Sequence, residues 1–423
     1  MLKYIGLAIF AVSFGTHSAV QAETLSRQDA LALVAKNNPL AIAARSNVEA
    51  ANGAFDQARL MPNPQASLEI ENAAGTDQYN GYDEAETTLS ISQEIEVAGK
   101  RAKRSRIADY DRLIASQNAV VETLNILADT DYAFMRALIA KERLQLADKR
   151  LELAEQSHIA VKKRVTAAAA SSIQHTKIDI EQSAAVIQKK RAEQEYAQAH
   201  AALAALLSQD AEITGETALS KNAVLPSEDE LMNVLEQTPL DRIAELSRFQ
   251  AQSRLDLAQS QAIPNPTIGL GVRHFGENSA NALVAGFSIP IPVLNRNQGN
   301  IREAHAEVAR SHALADQQRL ALREMARNAF TQAIAAEEQV KAYTSEMLPS
   351  AERAYKQASD GYNAGRFSFL DLLDAQRTLY EVQEQRLDSL SSFYLAKSRI
   401  DFLMGTHMPL LDTLTSSSKG NTQ

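Results

Sequence analysis

Two pairs of short segments in this chain alternate apolar and polar residues with a period of two. In the first pair, Leu68 and Ile70 alternate with polar neighbours, and positions 89–97 continue the alternation after a polar loop. Alternation over such lengths predicts β-strands that have one apolar and one polar face. We expect four strands, at about 65–72, 87–97, 267–275 and 283–293.

Long helical segments follow each strand pair. No proline or glycine occurs between positions 100 and 164, which corresponds to a helix about 100 Å long at about 1.5 Å per residue. Five apolar side chains in this segment lie seven positions apart, as in a coiled coil: Ile107, Ile114, Val121, Ala128 and Met135. A similar helix is predicted over 302–362, and Pro349 should kink or break it.

The order helix, two strands, long helix, turn and helix occurs twice, about 200 residues apart. The Pro-Asn-Pro segment that begins at Pro62 recurs at Pro264, and three other short matches keep the same order. A repeated supersecondary unit is expected to give a duplicated fold. The predicted divisions are a signal peptide at 1–22, a first repeat at 23–208, a linker at 209–225, a second repeat at 226–405 and a polar tail at 406–423.

The amino-acid composition narrows the classes of function. The 423 residues include no cysteine, so disulfides and thiolate metal sites are excluded. The 16 glycines and 11 prolines amount to about half of the usual share of ~12%, which suits very long helices. A formal net charge of −9 argues against a nucleic-acid binder, which needs a basic surface.

The first residues have the pattern of a secretory signal. Lys3 precedes an apolar run over 4–14, and the small residues Val20 and Ala22 stand at −3 and −1 of a cleavage site after Ala22. Because no cysteine follows, we expect no lipoprotein anchor. The protein is therefore predicted to be exported from the cytoplasm.

The predicted strands suggest how such an exported chain would meet a membrane. No later segment has about 20 consecutive apolar residues, so a spanning helix is not expected. The four strands of one copy cannot close a barrel, and the eight strands of two copies would enclose only side chains. Three copies would supply twelve strands, enough to surround a lumen. The pattern alone leaves open a soluble four-stranded sheet that packs on helices.

The duplicated order, the paired Pro-Asn-Pro segments and the segment 361–376 resemble the TolC family of outer-membrane efflux channels. That segment reads Gly-Tyr-Asn-Ala-Gly and then, from position 370, Leu-Asp-Leu-Leu-Asp-Ala-Gln. The resemblance covers about residues 24–405, and positions 97–101 and 165–172 are similar to the CzcC-like heavy-metal branch.

The resemblance implies a fold that is mainly α with a small β part. It implies a homotrimer with a 12-strand β-barrel in the lipid of the outer membrane of a Gram-negative bacterium, continued by a long periplasmic helical tunnel. It also implies two partners, a periplasmic adaptor and an inner-membrane pump of the resistance-nodulation-division type. The expected function is passive conduction of exported substrates, with heavy-metal cations as the expected cargo.

The resemblance also implies a channel constriction. Asp371 and Asp374 match the aspartates that form it, and Tyr362 matches a residue that helps to hold the entrance closed. The family's arginine partner does not match, because Phe367 stands at its position and Arg366 lies one residue earlier. An ordinary helix cap is the alternative for aspartates at this place.

Two turns between helices are predicted at the end of the molecule farthest from the strands, since each long helix leaves a strand and returns only after its turn. Small residues there suit the close approach of another helical hairpin, and the resemblance favours docking of the adaptor. A merely tight turn is the alternative. The residues concerned are Ala167, Ala168, Ala169, Ala170, Ala364, Gly365 and Arg366.

No residue pattern predicts catalysis, a cofactor or a bound metal. The eight histidines include no His-x-x-x-His or Glu-x-x-His pair, and neither a phosphate-binding loop nor a nucleophile elbow occurs. We therefore expect no enzymatic activity. The alternatives are a periplasmic adaptor or coiled-coil protein without a pore, the same channel serving drug efflux and, more remotely, a hydrolase that uses scattered carboxylates.

Overall fold

The computed structural model describes residues 25–168, 170–215 and 224–410. The predicted signal peptide, Ala169, part of the predicted linker and the tail from 411 lie outside the described residues. The elements in chain order are α1 (Arg27–Asn37), α2 (Pro39–Ala58), β1 (Gln65–Glu71), β2 (Glu86–Glu94), α3 (Lys100–Thr166), α4 (Ser172–Leu207), α5 (Glu228–Val234), α6 (Pro239–Gln261), β3 (Thr267–Phe275), β4 (Asn281–Ser288), α7 (Gln298–Ala342), a π-helical turn (Tyr343–Met347), α8 (Leu348–Asn363) and α9 (Phe369–Met404).

The described strands form one antiparallel sheet in the order β1-β2-β3-β4. Leu68 lies opposite Leu89, which in turn lies opposite Val272. Directly opposed residues share a face of the sheet, so the apolar side chains of all four strands lie together on one side. On β1 and β2 the other face carries polar side chains, and there Arg273 of β3 forms ion pairs with Glu71 and Glu86.

Two strands are shorter than the alternation predicts. β2 ends at Glu94 rather than near 97. The Ile95 N–H still donates to the Pro266 carbonyl oxygen at 2.8 Å, but Pro266 has no N–H to donate in return, and the chain then turns at Ala98 and Gly99, which both have positive φ. β4 ends at Ser288 rather than near 293. Its predicted continuation contains Pro290 and Pro292, which have no backbone N–H to donate to a neighbouring strand.

The helices α3 and α4 form a long antiparallel hairpin with small residues at the contact. The buried positions recur every seven residues and are Ala147, Ala154 and Val161 in α3 and Ile178, Ala185, Ala192 and Ala199 in α4. A seven-residue repeat keeps one face of each helix against its partner, and alanine lets the two backbones approach closely.

The second hairpin is interrupted where the sequence predicts it. Pro349 lies in the first turn of α8, and the π-helical turn separates α8 from α7. Proline removes a helical hydrogen bond and crowds the preceding turn, which accounts for the local widening. Across the described part of the chain, no helix combines the length and the apolar character needed to cross a bilayer.

Candidate functional site at the turn end of the hairpins

The two predicted turns lie side by side. Side chains from the last turn of α3, the first turns of α4 and α9 and the end of α8 form one apolar cluster, which consists of Val161, Val165, Ile178, Tyr362, Phe369 and Leu373. The 67 residues of α3 separate this cluster from the sheet by about 100 Å.

The first turn is open to solvent. Ala167 and Ala168 are exposed, Ala170 is half-buried, and Ala168 has a φ of 52°. Position 169 lies outside the described residues. The exposure of these two small residues leaves room for another chain to approach this turn.

The second turn is built on two glycines. Gly365 has a φ of 73°, which a residue without a Cβ adopts at little cost. The backbone N–H groups of Arg366 and Phe367 donate to the carbonyl oxygen of Gly361 at 2.8 and 3.2 Å. A Cβ at Gly361 would lie 2.1 Å from the Phe367 ring, so the ring can cover this turn only because the helix has glycine there. Ala364 and Arg366 are exposed.

The two candidate constriction aspartates differ in their surroundings. Asp371 forms a capping box with Ser368 at the start of α9: its carboxylate accepts from the Ser368 N–H at 2.8 Å and from the Ser368 hydroxyl at 2.7 Å. These hydrogen bonds lower the pKa of Asp371 below its ordinary value. Asp374 is exposed one helical turn further on. The capping role is therefore present at Asp371.

Tyr362 contacts the other hairpin. The guanidinium of Arg164 in α3 lies 4.8 Å from the centre of the Tyr362 ring, and the centre of the Phe369 ring lies 5.8 Å from the same point. The sequence offers no match to the family's arginine partner, and Arg366, one residue before the expected position, lies exposed at the turn. Arg164 was missed because it comes from the first repeat.

Two histidines and an aspartate meet a little above the first turn. His158 Nε2 lies 2.9 Å from one carboxylate oxygen of Asp179, and His175 Nδ1 lies 2.9 Å from the other. The spacing rules for single helices missed this group, since His158 belongs to α3 and the other two residues to α4. The sequence signal is the pair His175 and Asp179, four residues apart.

A second group of titratable side chains, with buried carboxylates, lies where α1, α3 and α9 meet. Asp131 pairs with Arg27, and Asp401 pairs with Lys397 at 2.5 Å. His407 lies beside both carboxylates, and its burial lowers the pKa of its imidazole. Because each carboxylate already has a basic partner, this group stabilises the helix packing and has no free charge for an ion.

Ion pairs also join α9 to the first hairpin along its length. Arg143 of α3 contacts Glu195 of α4 and both Glu384 and Asp388 of α9. Two further arginines of α9 contact glutamates on the hairpin, in the pairs Arg377–Glu181 and Arg386–Glu142. The position of α9 against the hairpin therefore depends on charge as well as on apolar packing.

Comparisons with known proteins agree with this architecture. The family model described as outer membrane efflux protein matches residues 30–209 and 233–406. The solved structure of the transmembrane channel CusC superposes with a TM-score of 0.75 at 19% identity, over 89% of this chain and 91% of that one.

Similar sequences include proteins of metal resistance. The cobalt-zinc-cadmium resistance protein CzcC of Cupriavidus metallidurans is 30% identical over 385 residues, which are 90% of each chain. The nickel-cobalt-cadmium resistance protein NccC of Alcaligenes xylosoxydans xylosoxydans is 26% identical over 333 residues, covering 78% of this chain and 75% of that one. The predicted likeness to TolC-type proteins of the heavy-metal branch is confirmed, as is the expectation that the protein is not an enzyme. This chain belongs to the outer membrane efflux protein family.

Proposed function

We propose that this protein is the outer-membrane channel of a tripartite efflux system for divalent heavy-metal cations. In this system an inner-membrane pump of the resistance-nodulation-division type supplies the energy and a periplasmic adaptor connects the pump to the channel. The similarity to CzcC and NccC, whose names state resistance to cobalt, zinc, nickel and cadmium, supports this cargo.

The apolar face of the sheet is the observation that carries the channel proposal. Its large side chains are at least half exposed in the single chain and include Leu68, Ile70, Leu89, Ile91, Ile268, Leu270, Val272, Leu283 and Phe287. An apolar sheet face of this size is costly in water and favourable against lipid. A periplasmic adaptor or coiled-coil protein without a pore would have no use for such a surface.

We further propose that three copies assemble through the edges of their sheets. β1 and β4 are the outer strands of the sheet within one chain, and their unpaired backbone groups would need partners in lipid. Pairing of β4 with β1 of the next copy would close twelve strands around a lumen lined by the polar face. Export through the signal segment, without a lipid anchor, belongs to the same proposal.

The acidic side chains at the start of α9 are proposed to form the constriction. In a trimer, Asp371 and Asp374 would give six carboxylates around one axis, and rings of carboxylates favour cations over anions. Asp374 is expected to contribute more to selectivity, because Asp371 is held by Ser368.

This proposal is tested by the reversal potential of single channels under a salt gradient. Replacement of both aspartates by asparagine should reduce the preference for cations, and Asp374→Asn alone should account for most of the change. An unchanged cation preference in the double variant would refute an acidic constriction here.

The two turns are proposed as the docking site of the adaptor. Ala167→Trp and Ala364→Trp place a bulky ring on each exposed turn, without the backbone strain that the positive φ of Ala168 or Gly365 would add. Both variants should form trimers yet lose efflux. Gly53→Trp, on an exposed part of α2 with open space around it, is the control. Full efflux in both turn variants would contradict docking at the turns.

A deletion strain tests the function as a whole. Loss of this protein should raise sensitivity to zinc, cobalt, nickel or cadmium salts, and the plasmid-borne gene should restore tolerance. Sensitivity to a panel of drugs with unchanged tolerance of the cations would instead favour the same channel in drug efflux.

A further inference from the structure

We propose that His158, His175 and Asp179 form a binding site for one divalent transition-metal cation on the hairpin of α3 and α4. Each of the three side chains offers one ligand atom, and these atoms lie within 4.8 Å of one another. The two imidazole rings stand 5.4 Å apart at an angle of 61°, so that their edges converge on the Asp179 carboxylate. The inference goes beyond the proposed function and does not depend on it, because binding is measured without transport.

The donor atoms define the class of cation. Two imidazole nitrogens and one carboxylate oxygen suit Zn²⁺, Co²⁺, Ni²⁺ and Cu²⁺, whereas Ca²⁺ and Mg²⁺ prefer oxygen ligands alone. Ligand atoms about 2.0–2.1 Å from a tetrahedral cation lie about 3.3 Å from each other. The two observed nitrogen–oxygen distances of 2.9 Å run to different carboxylate oxygens of Asp179, and the three ligand atoms lie within 4.8 Å of one another. Side-chain rotations that move these atoms by up to about 1.5 Å would bring all three to the tetrahedral spacing.

Packing holds the three ligands in place from both sides. Ala154 and Val161 flank His158 on α3 and are buried, as is Ile178, which lies between the two ligands on α4. Since Val161 and Ile178 belong to the cluster that joins the two turns, the ligands project from a rigid part of the hairpin. Ligands on packed helices give a more precise site than ligands on loops.

Solvent reaches the site. The side chains of His158, His175 and Asp179 are 22%, 32% and 45% exposed, which leaves an entry path for the cation and room for water at the remaining coordination positions. A bound cation would connect α3 to α4 just above the first turn, near the candidate constriction.

Titration of the purified, full-length protein with Zn²⁺ alone tests the site. The wild-type chain should bind one Zn²⁺ at least about tenfold more tightly than His158→Ala or His175→Ala, because removal of a ligand costs more than the 10- to 100-fold loss typical of an outer-shell change. His312→Ala, which removes an exposed histidine of α7 outside the group, should bind as the wild type does. Co²⁺ in place of Zn²⁺ should give a visible absorption band in the wild type that both variants lack.

His158→Gln keeps the side-chain length and a hydrogen bond to Asp179, so it separates loss of a ligand from loss of the fold. Zn²⁺ should raise the unfolding temperature of the wild type and of His312→Ala, but not that of His158→Gln. Equal Zn²⁺ stoichiometry and affinity in the wild type and His158→Ala would overturn the site, as would equal stabilisation of His158→Gln. Displacement of the bound Zn²⁺ by an equal concentration of Ca²⁺ would overturn the assigned class of cation.

Discussion

Arg143 offers the sharpest test of how α9 is held against the first hairpin. Its guanidinium lies 2.9 Å from Glu384 and 2.5 Å from Asp388, and it also contacts Glu195. Burial works against the charge, but the three carboxylates outweigh it and raise the pKa of Arg143 above its ordinary value. Arg143→Met keeps most of the aliphatic volume and leaves three carboxylates facing each other.

The expected loss follows from the exposure of the partners. Removal of one member of a fully buried ion pair costs about 3–5 kcal/mol, whereas an exposed pair contributes at most about 1 kcal/mol. The Arg143 side chain is 16% exposed, but its partners are 39–59% exposed, so water recovers part of the cost. We expect α9 to lose about 2–3 kcal/mol of stability against local opening, which corresponds to about 30- to 150-fold faster amide exchange.

Hydrogen exchange measured by mass spectrometry on peptides covering 380–392 would report this opening. The control is Arg310→Met, since the Arg310–Glu307 pair is 67% and 48% exposed and its loss should change exchange by about twofold at most. Arg143→Lys should lie between the two, because lysine keeps the charge but not the fork that reaches several carboxylates. Equal exchange of α9 in Arg143→Met and Arg310→Met would refute the role of this ion-pair group.

Three further predictions concern the cap, the sheet and the buried charges. Ser368→Ala should speed exchange in the first turn of α9 about fivefold, as expected for loss of a cap worth about 1 kcal/mol. Because the pKa of Asp371 is lowered, the carboxylate stabilises the cap at neutral pH and loses this effect as the pH falls below 3.8. The exchange rate of Ser368→Ala divided by that of the wild type should therefore decrease on acidification. A ratio that does not change with pH would contradict the cap. Gly271→Ala would place a Cβ 2.8 Å from the Leu89 carbonyl oxygen and should reduce the yield of folded protein in the outer-membrane fraction. Gly286→Ala is the control, because Gly286 has open space around it, and it should not reduce the yield. Equal yields of the two variants would count against the close approach of β2 and β3. Asp131→Ala leaves Arg27 without its ion-pair partner and should lower the free energy of unfolding by about 2–3 kcal/mol. An unchanged denaturation midpoint would show that the Arg27–Asp131 pair does not stabilise the packing of these helices.

The sequence predicts the sheet well because a period of two encodes which face each side chain occupies. The predicted apolar residues of all four strands lie on one face, as the opposition of Leu68, Leu89 and Val272 illustrates. The ends of the strands were harder to predict. The alternation continues through Ile95 and Ile291, but pairing depends on backbone donors and on turns, which a hydrophobic pattern does not encode.

The candidate site was predictable only where its parts are close in sequence. The spacing of Ser368 and Asp371 is a readable capping motif, and the structure has this box. Arg164 contacts Tyr362 although the two residues lie on helices that are distant in the chain. His158 and His175 lie close together on two helices that a turn separates. Patterns within one helix carry no signal of such contacts.

The central claim is that the protein is a passive, cation-selective conduit across the outer membrane. Single-channel recording of the purified wild-type protein in planar bilayers tests it most directly, without pump or adaptor. We predict discrete conductance steps with a reversal potential that favours cations, and block by divalent cations added on the side of the turns. Purified, folded protein that inserts into the bilayer yet gives no conductance above the protein-free membrane, or a conductance that prefers anions, would contradict the account.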